Sequence, residues 1–240
     1  MTAIETIDLT KKYKNVTAVN SVNLKIEEGE LFSLLGINGA GKSTMIKMLS
    51  CLAKPTGGDA RIFGMSILGE TGEIKKLINV SPQETAVAPN LTVRENLEFI
   101  AGIYGMDDPR KRAESEIKSM KLTDVAKSKA KTLSGGWQRR LSIAMALITE
   151  PKLLFLDEPT LGLDIIARRE LWEIVRELKS RTTVILTTHY LEEAESLSDR
   201  IGIMVRGSLT ACGTAHELIK ASGKDNFEDA FVALAGGEGI

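Results

Sequence analysis

Two cysteines in 240 residues, Cys51 and Cys212, show neither paired nor metal-ligand spacing, which excludes a disulfide-stapled secreted fold and a cysteine zinc site. Neither sign of charge is in excess. The 31 basic residues stand against 32 acidic ones, a formal net charge of -1, so no net field draws the chain toward nucleic acid or anionic lipid. No uninterrupted apolar run approaches the roughly 20 residues that cross a bilayer. The opening MTAIETIDLT has no basic segment followed by an apolar one, so the sequence reads as a soluble chain whose place at any membrane comes through a partner. Internal repeats and low-complexity tracts are also missing. What is present is 43% hydrophobic content, enough at this length to fill one large domain with an inserted subdomain.

From Ile4 to Leu31 short β-like pieces (IETIDL, VNSVNLKI) are broken at KKYKN and EEGE, a pattern that predicts an antiparallel sheet with hairpin turns. Beyond it, LFSLL, KLINV, KLLFL and TVILTT are apolar on consecutive positions, the signature of parallel strands buried on both faces. Between the second and third of these runs the pattern is helical. Thr92 and Glu95 form a capping box ahead of Val93, Leu97, Ile100, Ala101 and Tyr104 on one face, and Asp108 with Pro109 marks a further helix start. The expected organisation is therefore an α/β core from residues 1–83 and 151–240, with a helical subdomain inserted at 84–150. Thr214 and Glu217 repeat the capping-box spacing and predict a late helix.

GINGAGKST, Gly36 to Thr44, is a phosphate loop in its proper context. It follows the strand LFSLL and precedes a helix with Met45, Ile46, Met48, Leu49 and Leu52 turned inward. Backbone N–H groups from Gly39 onward are placed to wrap a β-phosphate, Lys42 to neutralise β- and γ-phosphate charge, and the Ser43 hydroxyl to bind Mg²⁺. The carboxyl ends of parallel strands open on one sheet edge, so the residues that follow the other buried runs converge there. These are Asp157 for the Mg²⁺ shell and Glu158 as general base, Gln83 reaching metal or water through its amide, and His189 donating to the γ-phosphate. Tyr13, between lysines near a turn, reads equally as an adenine-stacking ring or as an exposed edge residue.

A second anion site begins at LSGGWQRR, residues 133–140. Trp137, Leu141, Ala144, Met145 and Ile148 share a helical face here, and Ser134, Gly135 and Gly136 stand at the helix start, where N–H groups lack intrahelical partners. This half-site has no lysine of its own.

With these motifs in order the chain resembles, over essentially its whole length, the nucleotide-binding subunit of ATP-binding cassette (ABC) transporters. The family's adenine-stacking aromatic falls on Tyr13, and its phosphate loop supplies Gly36, Asn38, Gly39, Ala40, Gly41, Lys42, Ser43 and Thr44 as nucleotide contacts. Its glutamine loop falls on Gln83, its signature on LSGGW, its Asp/Glu strand end on LLFLDEP, its aspartate loop on LGLD with Asp164, and its switch histidine on His189. Departures are Trp137, where glutamine is common, and Leu161 and Ile165, where small residues and proline are common.

The resemblance implies a phosphate-loop NTPase fold: a RecA-like mixed sheet with an antiparallel β subdomain and an inserted helical subdomain. It also implies ATP and Mg²⁺ as cofactors and head-to-tail pairing with a second such subunit, so that Ser134, Gly135 and Gly136 complete the site built around a partner's Lys42. The motion would drive a separate polytopic permease from the cytoplasmic face of the cell membrane. The C-terminal FEDAFVALAGG resembles the tail of export-type ATPases of the sodium, drug and lipid efflux group. The alternative within the superfamily is an ATPase acting on nucleic acid or ribosomes. Those relatives carry two cassettes or a long coiled coil, and this chain shows neither, so no nucleic-acid partner is expected. A guanine-reading Asn-Lys-x-Asp motif is also missing.

Overall fold

The computed structural model describes residues 1–236. The chain opens with a long antiparallel hairpin, β1 (Thr2–Tyr13) and β2 (Val16–Glu27), then β3 (Leu31–Leu35), α1 (Lys42–Leu49), β4 (Gly57–Ile62), β5 (Met65–Ser66), α2 (Thr71–Leu77) and β6 (Ile78–Ser81). The helices α3 (Val93–Ile103), α4 (Pro109–Ser119) and α5 (Gly135–Leu147) follow. The chain then returns to β7 (Leu153–Asp157), α6 (Ile165–Leu178), β8 (Thr183–Thr188), α7 (Leu191–Leu197), β9 (Arg200–Val205), β10 (Ser208–Gly213), α8 (Ala215–Ser222) and α9 (Phe227–Leu234). No described helix is long and apolar enough to cross a membrane.

Two sheets organise these elements. One is four-stranded and antiparallel in the order β2-β1-β4-β5, and the other is six-stranded in the order β10-β9-β3-β8-β7-β6. LFSLL, KLLFL and TVILTT form strands of the second sheet, whereas Lys76 and Leu77 of KLINV end α2 and only Ile78 to Val80 enter the half-buried edge strand β6; each of the sheet's pairs from β9 through β6 is parallel. The continuous apolarity of the three runs has a direct cause. Alternate residues enter two different cores, with Leu154, Leu156, Val184 and Leu186 packed under α3 to α6. Leu153, Phe155 and Ile185 instead meet α1 and the antiparallel sheet. Burial of both faces removes any polar alternation.

Several elements differ from the sequence reading. Strand β1 runs through Lys11, Lys12 and Tyr13, and the turn is only Lys14 and Asn15, because Lys11, Lys12 and Tyr13 pair with Val19, Thr17 and Val16. The hairpin β9–β10 was not anticipated. It adds one parallel and one antiparallel strand beyond β3, making the sheet mixed. The predicted helical faces also overrun: Leu52 lies beyond the end of α1 and Tyr104 is the C-cap of α3, and both are exposed. Helix α5 is buried on nearly every side from Arg139 to Leu147 rather than on one face, since it touches α3, α4 and α6 as well as β6 and β7. The capping boxes at Thr92 and Thr214 and the Asp108 cap form as predicted. Helix α9 contains most of FEDAFVALAGG, whose last glycine, Gly237, lies outside the described residues.

Candidate functional site

The loop between β3 and α1 is wedged against two other segments. A Cβ on Gly41 (φ +105°) would stand 2.3 Å from the Ala18 carbonyl of β2, and one on Gly36 would stand 2.4 Å from the Met204 carbonyl of β9. Only glycine fits either place, and the Gly41 angle is one that other residues reach with strain. The turn between β9 and β10 closes the cradle, because the Gly207 N–H donates to the Ala40 carbonyl at 3.0 Å. Helix α1 begins immediately after Gly41, so its unpaired N–H groups open into the cleft above.

That cleft, about 660 Å³, is lined by Asn38, Gly39, Ala40, Gly41, Lys42, Ser43 and Thr44, together with Gln83, Glu158 and His189. Four segments far apart in sequence therefore meet at the carboxyl edge of the sheet, as expected from the strand ends. Gly36 lies beneath, its carbonyl accepting from Lys42 Nζ at 2.6 Å. Asp157 sits behind Ser43, whose hydroxyl donates to Asp157 Oδ1 at 3.2 Å. Tyr13 is not among the lining residues. Its half-exposed ring pairs in register with Val16, which does line the cleft, and Lys11 Nζ stands 5.0 Å from the ring centre.

Lys42, Glu158 and His189 form one chain of contacts in the cleft, with Arg206 on its lining as well. Lys42 is only 5% exposed, and its Nζ stands 3.5 Å from Glu158 Oε1. Burial pushes the Lys42 ammonium below its ordinary value, opposed first by Glu158 and then by Asp157. Glu158 Oε2 lies 3.3 Å from His189 Nδ1, without the geometry of a hydrogen bond. The backbone of Glu158 is left-handed (φ +46°), a conformation that costs on the order of 1 kcal/mol or more for a residue other than glycine. Its N–H is held in place by the Thr187 carbonyl at 3.2 Å and the Thr187 hydroxyl at 3.0 Å.

Thr187 is a residue that the sequence reading missed. Its hydroxyl also donates to Asp157 Oδ1 at 2.6 Å, so it fixes both acidic residues at once. The only sequence signal is a polar pair closing an otherwise apolar strand. Thr187→Val keeps the volume and removes both bonds. It is expected to destabilise the chain by about 1–3 kcal/mol and to slow ATP turnover by one to two orders of magnitude through misplacement of Glu158. Urea unfolding and steady-state phosphate release check this; an unchanged turnover would show that the strand alone positions Glu158. Leu161, one of the departures beside the aspartate loop, also lines the cleft, as do Val16, Thr17, Ala18 and Arg206, which nothing local in the sequence marks.

The second anion motif lies elsewhere. Ser134 is the N-cap of α5 but makes no side-chain cap bond, and Ser134 and Gly135 are exposed. None of Ser134, Gly135, Gly136 and Asp164 lines the cleft of its own chain. Asp164 caps α6, accepting the Ala167 N–H at 2.9 Å, and a Cβ on Gly136 would stand 3.1 Å from Ala167 Cβ. The starts of α5 and α6 therefore abut. Arg140 reinforces the junction, pairing with Glu170 of α6 while its guanidinium lies 4.6 Å from the Trp137 ring centre. Trp137 thus has a packing partner that glutamine would lack.

The family described as ABC transporter matches residues 19–161. The chain is 43% identical to the daunorubicin/doxorubicin resistance ATP-binding protein DrrA of Streptomyces peucetius, over 93% of this chain and 68% of that protein. It is 46% identical to ABC transporter A family member 9 of Arabidopsis thaliana, over 90% of this chain but only 23% of that protein. The chain thus spans under a quarter of the plant relative and about two thirds of the bacterial one. Among solved structures, a dimeric post-hydrolysis state of the ATP-binding cassette MJ0796 bound to ADP and Pi superposes with a TM-score of 0.79 at 31% identity. That match covers 88% of this chain and 98% of the other.

Proposed function

Since the chain belongs to the ABC transporter family, we propose that it is the ATP-binding and ATP-hydrolysing motor subunit of a transporter, one of two that close around two Mg·ATP to drive a separate polytopic permease. One observation carries the reading. The cleft brings the phosphate-loop residues together with Gln83, Glu158 and His189, while Ser134 and Gly135 of the signature turn are exposed and do not line it. Each chain thus has one cleft with its own helix N-terminus at α1 and a second helix N-terminus, at α5, that stands outside it, so a second chain's phosphates are what it would meet. The dimeric relative is consistent with two chains exchanging these parts.

The donor set fits Mg·ATP. Gly36 and Gly41 admit no side chain where the cradle is tightest, and Lys42 lies between phosphate-loop carbonyls and a carboxylate. In this reading the N–H groups of Gly39 to Thr44 hold the phosphates, with Asn38 and Ala40 shaping the loop. Lys42 would pair with the β- and γ-oxygens in place of Glu158, and Ser43, Asp157 and Gln83 would hold a Mg²⁺, which when bound would supply positive charge beside the phosphates. Glu158 takes a proton from the attacking water, and His189, whose Nδ1 faces Glu158, offers its other ring nitrogen to the γ-phosphate. Tyr13 stacks on adenine from the rim, and Asp164 reaches the shared interface. Subdomains of residues 1–83 with 151–240, and of 84–150, are the expected moving bodies. The bacterial relative's name, a drug-resistance ATP-binding protein, and the resemblance of the FEDAFVALAGG tail support an export role at the cytoplasmic face.

The test is co-purification. A detergent extract of cells expressing the tagged chain is expected to yield a polytopic membrane protein, and the purified chain to hydrolyse Mg·ATP. Recovery of RNA in place of a membrane protein would favour a ribosomal or nucleic-acid ATPase instead.

A further inference from the structure

Arg139 is a buried cation without an ion-pair partner among the described residues. It stands in the second turn of α5, just past the signature, and is 6% exposed. Its Nη1 donates to the Pro82 carbonyl at 2.7 Å and its Nη2 to the Gln83 carbonyl. An unpaired buried charge costs several kcal/mol unless its donors find acceptors, and here two backbone carbonyls of one loop accept from the two Nη groups. Burial holds the guanidinium below its ordinary pKa, with Asp157 opposing. A second tie lies one turn further on, where the Ser142 and Ser81 hydroxyls meet at 3.0 Å. On its other side α5 is bound to α6 through Arg140, Glu170 and the Gly136–Ala167 contact. The signature turn is therefore joined through one helix both to the glutamine loop and to the start of the aspartate-loop helix.

We propose that Arg139 is a positioning residue that locks the glutamine loop to the signature turn, so that the nucleotide state sensed by Gln83 at one site moves the LSGG turn that completes the other. The guanidinium suits this task because its planar fork grips two consecutive carbonyls, fixing the direction of the loop as well as its distance. The inference rests on the proposed shared-site ATPase and adds a named coupling path to it.

The test is a double-mutant cycle on the full chain with Arg139→Met, Gln83→Ala and both together. Arg139→Met keeps an unbranched stem and removes donors and charge. Turnover is expected to fall about tenfold, while KM for Mg·ATP stays within about twofold. If Arg139 acts through Gln83, the double variant is no slower than the slower single one, within about twofold. In a Glu158→Gln background, Arg139→Met is expected to need about tenfold more protein for ATP-dependent dimerisation, with unchanged ATP affinity of the monomer. Should Arg139→Met not fold, Arg139→Gln, which keeps one donor, takes its place in the cycle. Losses that multiply, or that come with a matching rise in KM and fall in melting temperature, would reduce Arg139 to a packing residue. In that case wild-type turnover remains and the proposed function stands. A wild-type chain without ATP turnover removes both readings.

Discussion

Glu158→Gln binds Mg·ATP at least as well as the wild type, turns it over about 10²- to 10⁴-fold more slowly, and accumulates as an ATP-bound dimer. This is the expected result because the variant changes charge without changing shape. The carboxylate stands 3.5 Å from Lys42 Nζ and 3.3 Å from His189 Nδ1, within the cleft that the phosphate loop lines. An amide in that place no longer accepts a proton from water, which removes the base. It also no longer competes with phosphate for Lys42 or repels it, which favours the bound and closed state. The held backbone of Glu158 depends on Thr187 and not on the carboxylate, so the variant is expected to fold normally. Phosphate release and light scattering with and without Mg·ATP measure the two effects. Normal hydrolysis would remove Glu158 from the mechanism.

Two further substitutions are each expected to abolish turnover, for opposite reasons. Lys42→Ala removes the ammonium that lies between the Gly36 carbonyl, the Ile37 carbonyl and Glu158, and leaves Glu158 buried without its cation. It is expected to weaken ATP binding and to lower hydrolysis by two orders of magnitude or more, the scale set by losing one preorganised charge at a phosphoryl centre. Ser134→Arg leaves that cradle untouched. The Ser134 side chain is exposed and caps nothing within its own helix, so a large side chain there is expected to leave folding and monomer ATP affinity intact. It would block the approach of a second chain's phosphates. The pair thus separates the two halves of the proposed site.

Much of the cradle was legible because its physics is local. The spacing from Gly36 to Gly41, Lys42 and Ser43 lies within one loop, and the LFSLL, KLLFL and TVILTT strands show burial on two faces by their unbroken apolar runs. The caps at Thr92, Asp108 and Thr214 are contacts three residues apart, which a sequence states directly. What escaped is long-range. The β9–β10 hairpin that presses on Gly36 and Gly41 is some 165 residues away in the chain, and its strands carry no motif. Thr187 closes an otherwise apolar strand and Arg139 lies between Trp137 and Leu141, past the LSGGW signature, so neither carries a local signal of its partners. Only packing on several sides of α5 made a surface-type residue internal. Leu52 and Tyr104 failed for a simpler reason, since an apolar period continues past the residue where hydrogen bonding of the helix stops.

The shared site is tested most directly by mixing Lys42→Ala with Ser134→Arg. In a mixed dimer the damaged cradle faces the damaged signature, so one site has lost both halves and the other is intact. With equal amounts and random pairing half the dimers are mixed, each with one good site of two, which predicts about a quarter of wild-type ATPase activity if the sites act independently. The same mixture carrying Glu158→Gln in both chains reads dimerisation alone, so strict cooperativity between sites does not conceal the answer. Recovery of activity or of ATP-dependent dimerisation is the predicted result. Recovery of neither, at concentrations where the wild-type chain shows both, would mean that LSGGW serves only its own chain and would contradict the account.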